Sequence, residues 1–433
     1  MTGIHLHQHD LADEGAAAIR PWLARIEGLA HVFVQGNDIF ERNPSPGGVL
    51  PRNPRRSVVV GDGHWYLDVD PSRLSPGLHQ VRGKGSDPLA LVAESDIARD
   101  YEVVPWLNLL NGAWSGDVAG NCVVDLRGRP IPRWLCPNAP EVAAMWRALF
   151  GALLERYGYR HYLIDRIRFP DWGGERVEPR NLLSCFCRHC EAGMREHGID
   201  VTAVRAALAV VDQRIGEGAY AAGVTAFTES VDIRQWITFR QSSISRLVDN
   251  LTQHVRSLDR TAELWLDLWP PAYAWLLGQD YAALTAASSR LKHFPYHRLG
   301  GGADVLSLID NVAHDEAEHE AAFAAFVRFF EVDYGLTFAQ FRAEGFPIAL
   351  VADQNRRVRE LATPDTFVWS GVQMWNVPAA EVLAATRAAY ACADDVIYYC
   401  YGWAADELFG AGNQTRLGGL AERPRATMGV THA

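Results

Sequence analysis

Lysine is almost missing from this chain: Lys84 and Lys292 are the only two among 41 basic residues. The remainder are arginines, and beside the abundant alanine this imbalance reads as codon bias rather than as function. A formal net charge of -11 excludes the basic footprint expected of a nucleic-acid binder or of a protein held on an anionic membrane. No stretch reaches the roughly 18 consecutive apolar residues that span a bilayer. The first thirty or so residues lack an apolar core preceded by basic residues, so no signal peptide is expected and a cytoplasmic location follows. Dinucleotide chemistry is also unsupported. No Gly-rich fingerprint follows an apolar run, and Gly300, Gly301 and Gly302 lack its spacing and read as a turn. The seven cysteines are odd in number and tightly clustered, which suits a reducing compartment better than a disulfide framework.

What is present is a large apolar budget. Hydrophobic residues make up 48% of 433, enough for one large barrel or for two to three average domains. Short runs rich in β-branched and aromatic residues recur at 31–35, 64–69, 102–109, 161–169, 263–269, 290–296, 367–375 and 396–401. Stretches of helical spacing lie between them, as at 141–157 and 242–258. Alternating strand and helix implies a parallel sheet, and eight such units predict a (β/α)₈ TIM barrel over residues 1–409. Two regions exceed a minimal barrel: a Pro/Gly/Arg-rich loop at 44–62 and a long insertion at 171–233, after the fourth strand, that carries the cysteine cluster. Both are expected to roof the site, because loops after barrel strands lie on the catalytic face. Residues 410–433 form a Gly/Arg-rich tail.

Cys185, Cys187 and Cys190 place three thiols within six residues, and they can turn three sulfurs towards one soft cation. Zinc prefers four tetrahedral thiolate or imidazole ligands, so a fourth must come from elsewhere. Cys136 is the leading candidate and Cys122 the runner-up. Four thiolates would leave no position open to water, so the predicted cofactor is a structural Zn²⁺. Two histidine groups are weaker. His5, His7 and His9 alternate in an N-terminal segment with no further ligand in view, and read as a frayed or locally packed strand. His314 and His319 are five apart, so they diverge on a helix and belong to a solvated charged face.

Catalytic side chains of a barrel come from strand C-termini. Asp165 ends an apolar run flanked by Ile164 and Ile167, and Asp267 ends the next. Carboxylates on adjacent strands fall within about 5–10 Å, the range glycosidases use for an acid/base and nucleophile pair. Arg168 is placed to keep a carboxylate ionised or to hold a substrate oxygen. Trp106, Asn108, His293, Tyr296, His297, Gln373, Trp375 and Trp403 lie at or just beyond the same edges. Tryptophan faces interleaved with amides and acids suit sugars, whose apolar ring faces stack while their hydroxyls need polar partners.

The Cys-x-Cys-x-x-Cys spacing after the fourth strand, with a cysteine some fifty residues earlier, resembles the structural zinc cluster of family 42 β-galactosidases. The run from Ile164 to Pro170 and the loop from Pro44 to Pro54 look like those of uncharacterised glycosidase-like barrel proteins. The resemblance covers most of the chain from about His31 to Trp403, and only the cysteine pattern is specific. It implies a retaining glycosidase barrel. Family 42 places Asn-Glu at the end of its fourth strand and a nucleophilic Glu on its seventh; here those places hold Asp165 and, around Gln373, no acid. The expectation is therefore a glycoside hydrolase with Asp165 as nucleophile and Asp267 as proton donor, acting on a small intracellular glycoside. The expected partner is that carbohydrate alone, with neither nucleic acid nor membrane, in a chain able to form a homo-oligomer. The rival expectations are a barrel turned to a lyase, isomerase or biosynthetic step, with His293 or His297 as base, and a carbohydrate-binding pseudoenzyme.

Overall fold

The computed structural model describes residues 1–39, 51–52, 61–172, 178–299 and 305–413. Most of the 44–62 loop, the glycines at 300–302 and nearly all of the tail lie outside these. Eight parallel strands close into a barrel in chain order: β1 (Thr2–Leu6), β2 (Leu29–Gln35), β3 (Glu102–Asn108), β4 (His161–Asp165), β5 (Glu263–Leu268), β6 (Arg290–His293), β7 (Phe367–Gln373) and β8 (Asp395–Tyr399). β1 pairs with both β2 and β8, which completes the ring.

The barrel is as expected, but one strand is different. The N-terminal segment supplies β1, fully buried and carrying His5, with His7 and His9 just beyond its end, whereas the 64–69 run is not a barrel strand. Trp65 makes only isolated bridges to Asn37 and Arg82 there. Its apolar side chains pack against the outside of the barrel, with Trp65 against Trp146 of the helix Pro140–Tyr157, and so mimic a strand pattern without joining the ring. The two differences offset each other, and β4 remains fourth.

The helices follow from local signals. Pro140 opens the helix after β3, where its missing N–H costs nothing, and Gly158, at a φ of 71°, closes it. Between β4 and β5 lie the helices Arg188–Glu196, Val201–Gly216, Tyr220–Glu229 and Val231–Leu258. Ser230 caps the last of these on the Ile233 N–H, and Ile233, Trp236, Arg240, Ile244, Leu247, Leu251 and Val255 form its buried stripe at helical spacing. No described helix is long and apolar enough to cross a membrane.

Two cores result. One lies between strands and helices. The other fills the barrel with Phe33, Val104, Trp106, Leu163, Trp265, Trp369, Ile397 and Tyr399, taken from alternate positions of their strands. The same alternation aims Asp165, Asp267 and Lys292 inward.

Candidate functional site

Strand register lays a polar row across the C-terminal end of the barrel. Asn108 pairs with Asp165, and Asp267 with Lys292. The β4–β5 register, Leu163 on Trp265 and Ile164 on Leu266, carries on to set Asp165 beside Asp267. Neighbouring strands lie about 4.8 Å apart, so four consecutive strands bring two carboxylates, an amide and an ammonium to one level. Asp165, Asp267, Lys292, Arg166, Arg168, Phe294, Tyr296 and Tyr399 line a cavity of about 20 Å³. That is room for a water and not for a sugar ring, so a ring must sit above the carboxylates unless side chains move.

The two acids are held differently. Arg168 donates to Asp165 at 3.0 Å, and the Arg166 backbone N–H donates to the same oxygen. Arg166 bends back through a left-handed φ of 53°, a strained backbone for a long side chain. Asp171 accepts from Arg168 Nε at 2.7 Å and from Arg166 at 3.0 Å, completing a buried network in the loop that leaves β4. Burial raises the Asp165 pKa, but Arg168, Arg166 and Lys292 outweigh it and leave the carboxyl below its usual range. Asp267 accepts from Lys292 Nζ at 2.8 Å, while its Oδ1 has no hydrogen-bond partner among the described residues. Burial lifts its pKa to about 7 against the pull of Lys292, and Asp165 adds to the rise. One acid is therefore ionised at neutral pH and its neighbour is poised to carry a proton.

The other residues singled out in the sequence are placed unequally. Trp106, Tyr296, Trp375 and Trp403 gather about Tyr399 with ring centroids 5.4–5.9 Å from it, forming an aromatic wall beside the cavity. His5 and His7 join that wall, and His7 lies 3.2 Å from the Tyr399 hydroxyl. Asn108 is tied to Asn37, with its Oδ1 left over. Gln373 holds the Arg298 N–H and the Trp375 carbonyl, so it shapes a loop. His297 meets Glu381 at 3.3 Å. His293 points outward to Asn355, 2.9 Å away on the helix Ala349–Leu361, and so away from the cavity. Trp172 and Trp269 pack on each other and on Tyr273, and Trp269 also meets Phe294 and the Arg168 guanidinium of the cavity. Lys292, Tyr399 and Arg166 also line the cavity and Asp171 braces its arginines, and none of the four is singled out by the sequence. The available signal was strand periodicity: with Asp267 inward on β5, the side chain level with it on β6 is Lys292 and not His293.

A second cavity, of about 150 Å³, is almost wholly apolar and lies among the outer helices, lined by Trp172, Val211, Phe227, Ile309, Phe326 and Phe329. Among its described lining residues the one ionisable side chain is Tyr220, whose hydroxyl donates to the Val312 carbonyl.

The cysteines converge. The sulfurs of Cys136, Cys185, Cys187 and Cys190 all lie within 4.8 Å of one another, and all four residues are buried. Cys136 is 3.4 Å from both Cys187 and Cys190. A tetrahedron with metal–sulfur bonds of ~2.3 Å has edges of about 3.8 Å, so the four are spaced to hold one metal ion. Backbone N–H groups of Val124 and Cys187 point at Cys185, and Asn138 donates to Cys190, as thiolate ligands require. Cys122 stands outside the four. The cluster binds the end of the hairpin strand Pro130–Leu135 to the first turn of helix Arg188–Glu196 and the loop before it. Arg240 connects it to the site loop: its guanidinium lies over Phe169 and Trp236, and the charge of Cys185 and Cys190 partly offsets the burial that lowers its pKa to about 9.

No family model and no curated protein matches the chain. Among solved structures it is similar to the PgaB (BpsB) glycoside hydrolase domain from Bordetella bronchiseptica, with a TM-score of 0.52 at 13% identity over 96% of this chain and 97% of that one. It is similar also to the β-galactosidase of the psychrophilic Marinomonas ef1, with a TM-score of 0.52 at 10% identity over 96% of this chain and 59% of that one. A β-galactosidase from the Antarctic haloarchaeon Halorubrum lacusprofundi gives 0.50 at 12% identity, over 96% and 57%. The chain thus spans less than two thirds of either galactosidase. Likeness at these identities establishes the barrel alone.

Proposed function

We propose that the chain is a glycoside hydrolase that acts on a small glycoside with retention of configuration. One observation carries the reading: Asp165 and Asp267 stand level on adjacent strands, one held ionised by two arginines and the other lifted to about 7. The two strands lie about 4.8 Å apart with the acids at one level, which favours the near end of the range of about 5–10 Å and so retention rather than inversion. Asp165 attacks the anomeric carbon while Asp267 gives its proton to the leaving oxygen; Asp267 then takes a proton from the water that releases the sugar. Arg168 orients the nucleophile. The sugar ring rests against Trp106, Tyr296, Trp375 and Trp403, with Asn108 Oδ1 accepting from a hydroxyl. In this reading the four cysteines hold zinc, which stiffens the loop after β4 and takes no part in the reaction.

A panel of aryl glycosides tested with the wild type and with Asp165→Asn decides it. Hydrolysis by the wild type that Asp165→Asn abolishes, with sugar binding kept, supports the assignment. Full activity in Asp165→Asn, or binding without turnover across the panel, overturns it. Proton NMR of the first-formed product reads retention directly.

A further inference from the structure

Lys292 is the one lysine in the described ion pairs of a chain that otherwise uses arginine, histidine or its own N-terminus as the cation. Codon bias accounts for the scarcity of lysine but not for this position. Lys84, the other lysine, is exposed, whereas Lys292 is 2% exposed, inside the C-terminal end of the barrel. Its ammonium is enclosed by the faces of Phe294, Tyr296 and Tyr399 at 5.1–5.9 Å and by Asp267 at 2.8 Å. Arginine would keep the charge and the carboxylate partner, but it cannot become a nucleophile at neutral pH, and lysine can.

We propose that Lys292 is an amine nucleophile that forms a Schiff base with a small α-hydroxyaldehyde or α-hydroxyketone in the cavity it shares with Asp165 and Asp267. The cavity, of about 20 Å³, has room for one water-sized group, which the carbonyl fills while the rest of a small aldehyde or ketone extends above it, and the polar row around it suits a hydroxyl beside that carbonyl. Asp267 accepts a proton from the ammonium across the existing 2.8 Å hydrogen bond. The free amine adds to the carbonyl carbon, and the oxygen that receives the C=O electron pair takes up the proton given off by the now positive nitrogen, to give a carbinolamine. Asp267 returns its proton to the departing hydroxyl, for which its unpartnered Oδ1 is available. The nitrogen lone pair expels water and leaves a protonated imine. Ammonium and carbonyl thus give iminium and water, with no oxidant or reductant, and the ionised Asp165 faces the new positive charge. The lift of the Asp267 pKa to about 7 fits a group that takes and returns a proton at neutral pH.

The sequence makes the test unusually clean, because the competing amines are only Lys84 and the N-terminus. Full-length protein is incubated at pH 7 with glycolaldehyde and cyanoborohydride, which reduces an imine to a stable secondary amine, and the labelled peptides are quantified by mass spectrometry. Lys292 is expected to be labelled at least about tenfold faster than the exposed Lys84. Asp267→Asn is expected to slow labelling at Lys292 by about tenfold while leaving Lys84 unchanged. Labelling of Lys84 at an equal or higher rate, or none at Lys292, overturns the proposal. The comparison is made within the wild-type molecule and needs no variant to fold. It is also independent of glycoside hydrolysis: labelling at Lys292 without hydrolysis sinks only the hydrolase reading, and hydrolysis without labelling sinks only this one.

Discussion

Asp165 and Asp267 are the same residue type on adjacent strands, yet their surroundings divide them, and pH should reveal the division. The folded state holds a proton on Asp267 between its ordinary 3.8 and about 7, where the unfolded chain has released it. That contribution to stability is fully present below the ordinary value and is lost as pH rises through 7. Asp165 is the reverse: its contribution is present above the ordinary value and is lost as pH falls through its lowered one. If Asp267 is the proton donor, kcat/KM falls on the basic side near pH 7, and a pH–rate profile of Asp267→Asn lacks that limb. Asp171 gives a second test at this scale. Asp171→Ala deprives Arg166 and Arg168 of a buried anion and should destabilise the fold by about 3–5 kcal/mol in urea titrations, far more than a surface pair would.

At the scale of elements, the cysteine clasp and the first strand make separate predictions. Cys187→Ser removes one of four converging sulfurs. It should abolish stoichiometric zinc in metal analysis and lower the melting temperature by on the order of 5 °C, and a chelator should reproduce the shift in the wild type. Gly3 lies on the inner face of β1, where an added Cβ would come within 2.6 Å of the Phe33 ring. Gly3→Val should therefore cost about 1–3 kcal/mol through overpacking, read from chemical denaturation. Much at this scale was legible. The run before Asp165, the helix after Pro140 and the cysteine spacing all carry local signals. The place of the first strand in the barrel was not, because alternating histidines read equally as a frayed or a locally packed strand until their neighbours are known. Trp106, Phe33 and Tyr399 supply those neighbours, and they come from three other strands.

For the whole molecule, closure is what β1 contributes. Deleting residues 2–6 would uncover the edges of β2 and β8 and open the aromatic core. The truncated chain should lose cooperative thermal unfolding and aggregate, measured by calorimetry and light scattering. By itself the sequence determined the class of fold, because alternating apolar runs and helical stretches leave few ways to bury both. It determined too that Asp165 and Asp267 stand at strand ends and that a thiol clasp follows β4. The tertiary structure alone decided which eight runs close the ring, that Lys292 faces the carboxylates while His293 faces a helix, and that Cys136 rather than Cys122 completes the four sulfurs. The reason is physical. A barrel strand is covered on both sides, so its sequence shows which residues share a face but not which face lies inside. That choice, and the level at which side chains meet, is made by register between strands far apart in the chain.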